Sequence, residues 1–434
     1  MIEILFMIIL AIIVYTIIGC IPGTDETSVL YPISFALILN GVKLELVFAF
    51  FMASIVTLNL MNLIPTMLLA LPGGVMSSPM IDIGLSLKIN KKSSDAMKKM
   101  AISSFIAVIL SYFIALLFAK TIAPLAKPFK EYSGYFFICG AIFLSLMSKN
   151  KIMSLLSIIP IGFLFAGIKA LYINMNVLKN GVMPSGSFFL AITVGPLIVS
   201  LFELLNIEKL KSNLVQKYSE IIIPKQDENS KLKLHTIKNV IFYSAMSCFL
   251  FFLSPVAILI MSKETVSIKN NDNENDKNIE KVCVMSALAQ STYISGIIIS
   301  LLGLGFPISP AALGPAQAFF KDGKSMLIDL NFNDLALYGL IAIIIASIAN
   351  YLIIKKYIFK ITTFVIKYIS HESVLALFIS LVLLIAFIEG GFINIIGVLL
   401  IAFVLGNLYK CGVNYGVMFM SFYASSFIIT YLTK

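Results

Sequence analysis

Apolar runs of roughly 20 residues, the length that crosses about 30 Å of hydrocarbon, recur along nearly the whole chain and are separated by short lysine-bearing gaps. They predict membrane-spanning helices over 2–21, 43–63, 101–119, 132–147, 153–172, 187–206, 240–261, 282–304, 335–354, 373–389, 391–409 and 413–432. Two further stretches, 28–40 and 64–85, are apolar but too short or too broken by Pro and Gly for a full crossing, and predict half-helices or re-entrant hairpins. The first run, Ile2 to Ile21, has neither a basic start nor a small-residue cleavage site, so it is expected to remain as a first helix. The pattern is that of an all-α polytopic integral membrane protein with about twelve transmembrane helices.

Two of the apolar segments are interrupted alike. Leu68-Leu69-Ala70-Leu71-Pro72-Gly73-Gly74-Val75-Met76-Ser77-Ser78-Pro79 stands in the first half and Leu301-Leu302-Gly303-Leu304-Gly305-Phe306-Pro307-Ile308-Ser309-Pro310 in the second, with Pro307 235 residues after Pro72. The same offset carries 101–119 onto 336–354 and 153–172 onto 388–407, close to spans read independently. Alternating the gaps between two faces puts nineteen lysines on one, Lys88, Lys91, Lys92, Lys98 and Lys99 among them, and eleven on the other, Lys263, Lys269, Lys277 and Lys281 among them, with Lys43 and Lys169 on neither. The lysine-rich face is expected to be cytoplasmic. In that orientation the spans after Pro72 and those after Pro307 run in opposite senses. The expectation is two inverted repeats, 1–206 and 240–434, joined by a cytoplasmic linker, 207–239. The Asn-rich gap from Asn270 to Asn278 is expected to be a solvated outer loop.

Composition narrows the class. The chain is 59% hydrophobic and 12% charged, against about 25% charged in globular domains, and leaves no soluble domain of useful size. Its net charge of +10 is carried by lysine alone, with no arginine anywhere. A basic chain without arginine or a basic stripe argues against a nucleic-acid partner and for loop lysines retained on one side of a membrane. The cysteines, Cys20, Cys139, Cys248, Cys283 and Cys411, have no metal-ligand or paired spacing, so neither a metal site nor a disulfide framework is expected. There is no HExxH, no Walker loop and no intramembrane-protease Gly-x-Gly-Asp, and His235 and His371 fit no triad, so the chain is not expected to be an enzyme.

The paired breaks carry the candidate chemistry. Pro72, Gly73, Gly74, Gly305 and Pro307 would open the backbone, and half-helix N-termini would turn partial positive charge toward an anion, with Ser77, Ser78 and Ser309 as further donors. These donors matter more in a chain with no arginine for bidentate carboxylate binding. The competing reading is two merely kinked helices, since Pro and Gly are common in membrane helices. The stretch Pro22-Gly23-Thr24-Asp25-Glu26-Thr27-Ser28 reads either as a helix start capped by Thr24 or Asp25, or as part of the site, with Asp25 and Glu26 as ligands for a coupling cation. Asn59 and Asn62 share a helix face, suited equally to packing and to substrate contact. Asp82 is a third coupling candidate, or else the wet end of a hairpin. Lys169 and Glu203 read as snorkelling side chains, and Glu389 beside Gly390-Gly391 as a turn cap.

These motifs resemble the large membrane subunit of the tripartite tricarboxylate transporters, the TctA-like permeases. Gly19-Cys20-Ile21-Pro22-Gly23 stands where that family has a Gly-rich element ending in Pro-Gly. Ala70-Leu71-Pro72-Gly73-Gly74, followed by Ser77, Ser78 and Asp82, stands where it has Asn-Ile-Pro-Gly-Thr-Pro and a small-residue stretch with an Asp. Leu304-Gly305-Phe306-Pro307-Ile308-Ser309-Pro310 stands where the family has a second Leu-Gly-Ile-Pro-Gly-Ser-Pro, with Pro307-Ile308 in place of its Pro-Gly, and Val199-Ser200-Leu201-Phe202-Glu203 approximates a Gly-Leu-Phe-x-x-x-Glu. Aligned on Pro307, Gln290-Ser291 replaces the family's Asn-Asn and Ser295-Gly296 its Gly-Gly, while Asn62-Leu63 stands in its Gly-Gly-Ser. The resemblance implies a secondary-transporter permease of the cell membrane. It would move a small organic anion, a di- or tricarboxylate, by alternating access on a proton or sodium gradient, without a cofactor. It also implies Pro22, Gly23, Asn62, Gln290 and Ser291 as substrate contacts, membrane lipid as surroundings, and as partners a small membrane subunit and an extracytoplasmic binding protein. A membrane enzyme acting on a lipid-linked substrate and a non-transporting membrane scaffold are the alternatives.

Overall fold

In the computed structural model, residues 2–24, 26–125, 132–175, 185–204, 231–253, 255–267, 273–321, 323–368 and 371–432 are described. Their chain is nearly all α: α1 (Ile2–Gly19), α2 (Glu26–Leu39), α3 (Leu44–Met61), α4 (Leu63–Leu69), α5 (Ile81–Ile89), α6 (Ser93–Ile122), α7 (Ser133–Leu146), α8 (Lys151–Asn174), α9 (Ser185–Leu204), α10 (Leu234–Phe249), α11 (Pro255–Ser267), α12 (Glu274–Ile298), α13 (Pro310–Leu313), α14 (Phe332–Lys356), α15 (Ile358–Tyr368), α16 (His371–Lys410) and α17 (Tyr415–Leu432). A 3-10 turn, Val75–Met80, precedes α5, and a π-helical turn, Ile299–Leu304, continues α12. The only strands among the described residues are β1 (Phe320–Lys321) and β2 (Lys324–Ser325), an antiparallel two-residue hairpin.

Seven of these helices are long and apolar enough to cross a membrane. Two stand apart: Leu44–Leu69 and Glu274–Leu304 are wholly buried over their most apolar window, whereas the other five bury only 28 to 44% of theirs and present the rest outward. The outward side chains are those a lipid solvent favours, such as Phe6 and Ile13 on α1, Phe113 and Leu117 on α6, and Phe392 and Phe403 on α16. So α3–α4 and α12 form the centre of a polytopic membrane protein, and each runs into one of the two Pro/Gly breaks. α15, strongly amphipathic, carries Lys360 and Lys367 beside exposed Phe364 and Tyr368, as an interfacial helix does.

Side-chain contacts fix the directions. Cys283 of α12 lies beside Ser103 of α6 and Gly303 against Ala119, so these helices run parallel. α3 and α14 are also parallel, with Phe48 against Gly339 and Val56 beside Asn350. Tyr112 OH donates to the Ala336 carbonyl at 2.8 Å and Lys120 sits 5.9 Å from the Phe332 ring centroid, which makes α6 antiparallel to α14. It follows that α3 and α12 run in opposite senses. Farther out the packing is reciprocal: α9 lies along α16, where Gly195 meets Gly406 backbone to backbone, while α17 lies against α7 and α8, with Gly416 on Leu144 and Gly134 on Phe427. Small residues permit such close crossings. α16 is broken at Gly391 (φ 71°), and Asn394 Nδ2 reaches back to the Ala386 carbonyl at 2.8 Å, so its two arms account for the spans expected at 373–389 and 391–409.

One expected crossing is corrected. The run 240–261 is not a single span but the turn of a helical hairpin, α10 out and α11 back, closed by Tyr243 OH on Thr265 Oγ1 at 2.9 Å. Its base is tied to the start of α12 by Lys233–Asp276 (3.2 Å) and His235–Glu280 (2.9 Å). Asn278, expected in a solvated outer loop, is buried and donates to Ser86 Oγ at 3.1 Å, two residues from Lys88. Lys263, Lys277 and Lys281 therefore belong with the lysine-rich face, which sharpens the charge bias. The rest of that loop, 270–272, and most of the 207–239 linker lie outside the described residues. A short thiol-reactive crosslinker should join Ser86→Cys to Asn278→Cys; if 240–261 crossed as one span, the two cysteines would face opposite sides of the membrane and no link would form.

Candidate functional site

α1 and α2 form a hairpin of their own, closed by Tyr15 OH on the Val29 carbonyl at 3.1 Å. Its tip, residues 20–24, docks on the first break. α4 ends at Ala70 in the left-handed region (φ 58°), a conformation that costs a non-glycine residue energy and persists only where neighbours hold it. The backbone groups freed beyond it are answered one by one. Thr66 Oγ1 donates to the Leu71 carbonyl (3.0 Å), Gly23 N to the Pro72 carbonyl (2.9 Å), and Thr24 Oγ1 lies 3.3 Å from the Gly73 carbonyl. Ser77 Oγ accepts from Gly74 N (3.0 Å) and donates to the Gly74 carbonyl (2.8 Å). Gly23 itself needs its φ of 82° to present that N–H.

Asn62, at the junction of α3 and α4, joins the tip to the break. Its Oδ1 lies 3.2 Å from Thr24 Oγ1, and its Nδ2 donates to Glu26 Oε1 at 3.2 Å, with Asn62 and Glu26 each 1% exposed. The two glycines are required by space. A Cβ on Gly73 would stand 1.9 Å from the Asn62 carbonyl oxygen, and one on Gly74 would stand 2.5 Å from Glu26 Oε1 and 2.6 Å from Asn62 Nδ2, inside that hydrogen bond. The structure thus brings together Pro22, Gly23, Glu26, Asn62, Pro72, Gly73, Gly74 and Ser77. Pro72 and Ser78 are exposed at the rim, and Asp25 lies outside the described residues.

The second break is built differently. Gly305 (φ 74°) ends the π turn by donating to the Ser300 carbonyl at 3.0 Å and accepting from Ser325 N of β2. Ser309 caps α13 by accepting from Ala312 N at 3.1 Å, and Ser300 Oγ is 3.4 Å from Ser309 Oγ. Pro307 is buried beside them. A cavity of about 230 Å³ next to this break is lined by Phe137, Phe252, Phe306, Ile308 and Met420 and is apolar. The first turn of α2 connects the two breaks: Thr27 packs on Gly314, just past α13, and Ser28 Oγ donates to the Thr193 carbonyl of α9 at 2.8 Å.

Gln290 and Ser291 are not at the second break. Gln290 reaches across to the Val56 carbonyl of α3 (2.8 Å), and Ser291 Oγ pairs with Ser247 Oγ of α10 (2.7 Å). Asp82 also stands apart, exposed and held by Lys263 at 2.8 and 3.0 Å, where Lys263 also donates to the Pro79 carbonyl. Partial burial raises the Asp82 pKa, but the Lys263 hydrogen bond and charge, with the N–H groups of Ile83 and of Asp82 itself, outweigh it and leave the carboxyl below its ordinary value. Glu389 accepts from the backbone N–H and hydroxyl of Ser187 at the start of α9. Sequence reasoning placed Thr27 and Ser28 only within the stretch 22–28, without a role of their own, and missed Thr66 and Gly314. Thr66 carries a weak signal as a hydroxyl next to a Pro/Gly break, and Gly314 carries none.

The profile of the tripartite tricarboxylate transporter TctA family matches residues 5–418, nearly the whole chain and both breaks. The chain belongs to that family. No curated protein and no solved structure matches it. The match identifies it as a tricarboxylate-transporter component, a membrane protein of a family that works in transport, and implies association with other subunits.

Overpacking a filled site costs about 1–3 kcal/mol. Gly73→Ala and Gly74→Ala are therefore each expected to lower stability by about that much, whereas Ser78→Ala, at the exposed rim, should stay within about 0.5 kcal/mol. Thermal melting of the detergent-purified chain checks both, and equal melting of all three would mean the tip and break are not in contact.

Proposed function

We propose that this chain is the permease of a secondary transporter that moves a small organic anion, a di- or tricarboxylate, across the cell membrane by alternating access, driven by a proton or sodium gradient. The observation that carries this reading is the closure of the α1–α2 tip on the first break, pinned by Asn62. It gathers glycine backbone, hydroxyls and an amide at the end of a wholly buried helix, where unwound backbone is tolerated only if it is enclosed by protein or lines a pathway. The opposed directions of α3 and α12, and the reciprocal packing of α9 and α17, support two inverted repeats, 1–206 and 240–434, moving about the buried centre. The lysine-rich face, with the 207–239 linker, is the cytoplasmic one.

In this reading Pro22, Gly23, Asn62, Gly73, Gly74, Ser77 and Ser78 hold the substrate from one half, and Gly305, Pro307 and Ser309 from the other. Gln290 and Ser291, held against α3 and α10, adjust the distance between them. Glu26, buried against Asn62, is the carboxylate best placed to respond to a coupling cation, while Asp82 serves as a surface tie. The family's other subunits, a small membrane protein and an extracytoplasmic binding protein, would deliver the solute.

Uptake of labelled di- and tricarboxylates into proteoliposomes, with proton and sodium gradients imposed in turn and the partner subunits added, tests the proposal. Gradient-dependent uptake is expected from the native chain and is expected to be lost in Gly73→Leu without loss of insertion. Undiminished uptake by a well-inserted Gly73→Leu chain would remove the first break from the pathway.

A further inference from the structure

Two carboxamides meet on one backbone oxygen where α3, α12 and α14 cross, and a third, Asn59, stands one helical turn along α3. Gln290 Nε2 donates to the Val56 carbonyl at 2.8 Å, and Asn350 Nδ2 donates to the same oxygen at 3.4 Å. A backbone carbonyl can only accept, so both amides are fixed with their NH2 groups toward Val56 and their oxygens turned away. Those oxygens, Gln290 Oε1 and Asn350 Oδ1, find no partner among the described residues. Neither does either amide atom of Asn59, one turn on from Val56, nor Ser347 Oγ, one turn before Asn350 on α14. Asn59 and Gln290 are 1% exposed, Asn350 is 0% and Ser347 5%. Buried polar atoms in native proteins are almost always partnered. Several orphaned together at one helix crossing point to a ligand.

We propose that this crossing binds the coupling ion, a single monovalent alkali cation held by the side-chain oxygens of Asn59, Gln290, Asn350 and Ser347. All four are neutral, hard oxygen donors, the ligand type that suits cations without transition-metal chemistry. Calcium and magnesium sites recruit carboxylates, and this donor set has none, so a single positive charge is the better match. An anion is less well matched, because one N–H of Gln290 and one of Asn350 already go to Val56, whereas three side-chain amide oxygens and a hydroxyl are left to coordinate. The site is next to the first break: Asn62 lies three residues beyond Asn59, about 4.5 Å of helical rise, and it holds both Thr24 and Glu26. An ion here would tie α3 to α12 and α14, so its binding would be felt at Asn62. Its role as coupling ion rests on the transport reading above; its binding does not.

The full chain, purified in detergent without any carboxylate, is melted in sodium chloride and in choline chloride at equal ionic strength. A ligand that binds only the folded state raises the melting temperature with its concentration. A sodium-specific rise is expected in the native chain, with about tenfold or more sodium needed for the same rise in Asn350→Leu and Asn59→Leu. Leucine removes the oxygens at nearly constant volume, melting in choline reports whether each variant is folded, and Ser347→Ala is a milder third variant. No sodium-specific rise in the native chain, or a native-like response in all three variants, would overturn the assignment. A sodium-specific rise lost in the variants, together with absent carboxylate uptake, would uphold the ion site and reject the transport reading. Carboxylate uptake without any sodium response would reject the ion site and leave transport standing.

Discussion

The structure depends on one constraint: a polar backbone group freed inside an apolar surround must find a partner, at a cost of several kcal/mol if it does not. Two breaks at the ends of the two wholly buried helices create such groups, and most of what is unusual in the fold answers them. The α1–α2 hairpin carries Gly23 and Thr24 to the carbonyls of Pro72 and Gly73, Thr66 turns back to Leu71, and Ser77 serves both sides of Gly74. At the second break the β1–β2 hairpin supplies Ser325 N to Gly305, and Ser309 supplies a cap. The glycines follow from the same demand. Gly73 and Gly74 lie where only a backbone without a side chain can approach Asn62 and Glu26.

Because the breaks lie on the central pair, the outer helices serve to enclose them. α6 and α14 flank α12 and α3, and the reciprocal exchange of α9 and α17 locks each outer layer to the other half of the chain. The first turn of α2 is where these demands meet, since Glu26 faces Asn62, Thr27 faces Gly314 and Ser28 faces Thr193. A small shift of that turn would be felt at both breaks and in α9 at once. The proposed alternating access would use such a geometry, a few contacts shared by parts that move against one another.

Much of this was legible in the sequence. Runs of twenty apolar residues have few other fates, and the spans expected at 2–21, 43–63, 282–304 and 335–354 coincide with α1, α3, α12 with its π turn, and α14. The Pro/Gly breaks were readable because their residues oppose helix continuation locally. The stretch 240–261 was not readable in the same way, because one crossing and a folded pair of short helices have the same length and polarity; Pro255, at the start of α11, was the sole local hint. The partner of Gln290 was unreadable for another reason. The position of Gln290 along α12 is fixed by sequence, but that it turns to Val56 depends on which helix packs beside it, and no local pattern encodes that. The docking of the α1–α2 tip on the first break is likewise a tertiary fact, though Thr24 and Asn62 both stood out as polar residues in apolar surroundings.

The central claim, that the first break and the hairpin tip hold the substrate, is met most directly by substrate protection at the rim. Ser78→Cys is placed in a chain whose exposed Cys139 and Cys411 are replaced by serine, and the rate of its modification by a small maleimide is measured with and without carboxylate. The account predicts that a transported carboxylate slows the modification and that Gly73→Leu abolishes this protection. Equal rates with and without carboxylate, in a chain shown to transport it, would contradict the account.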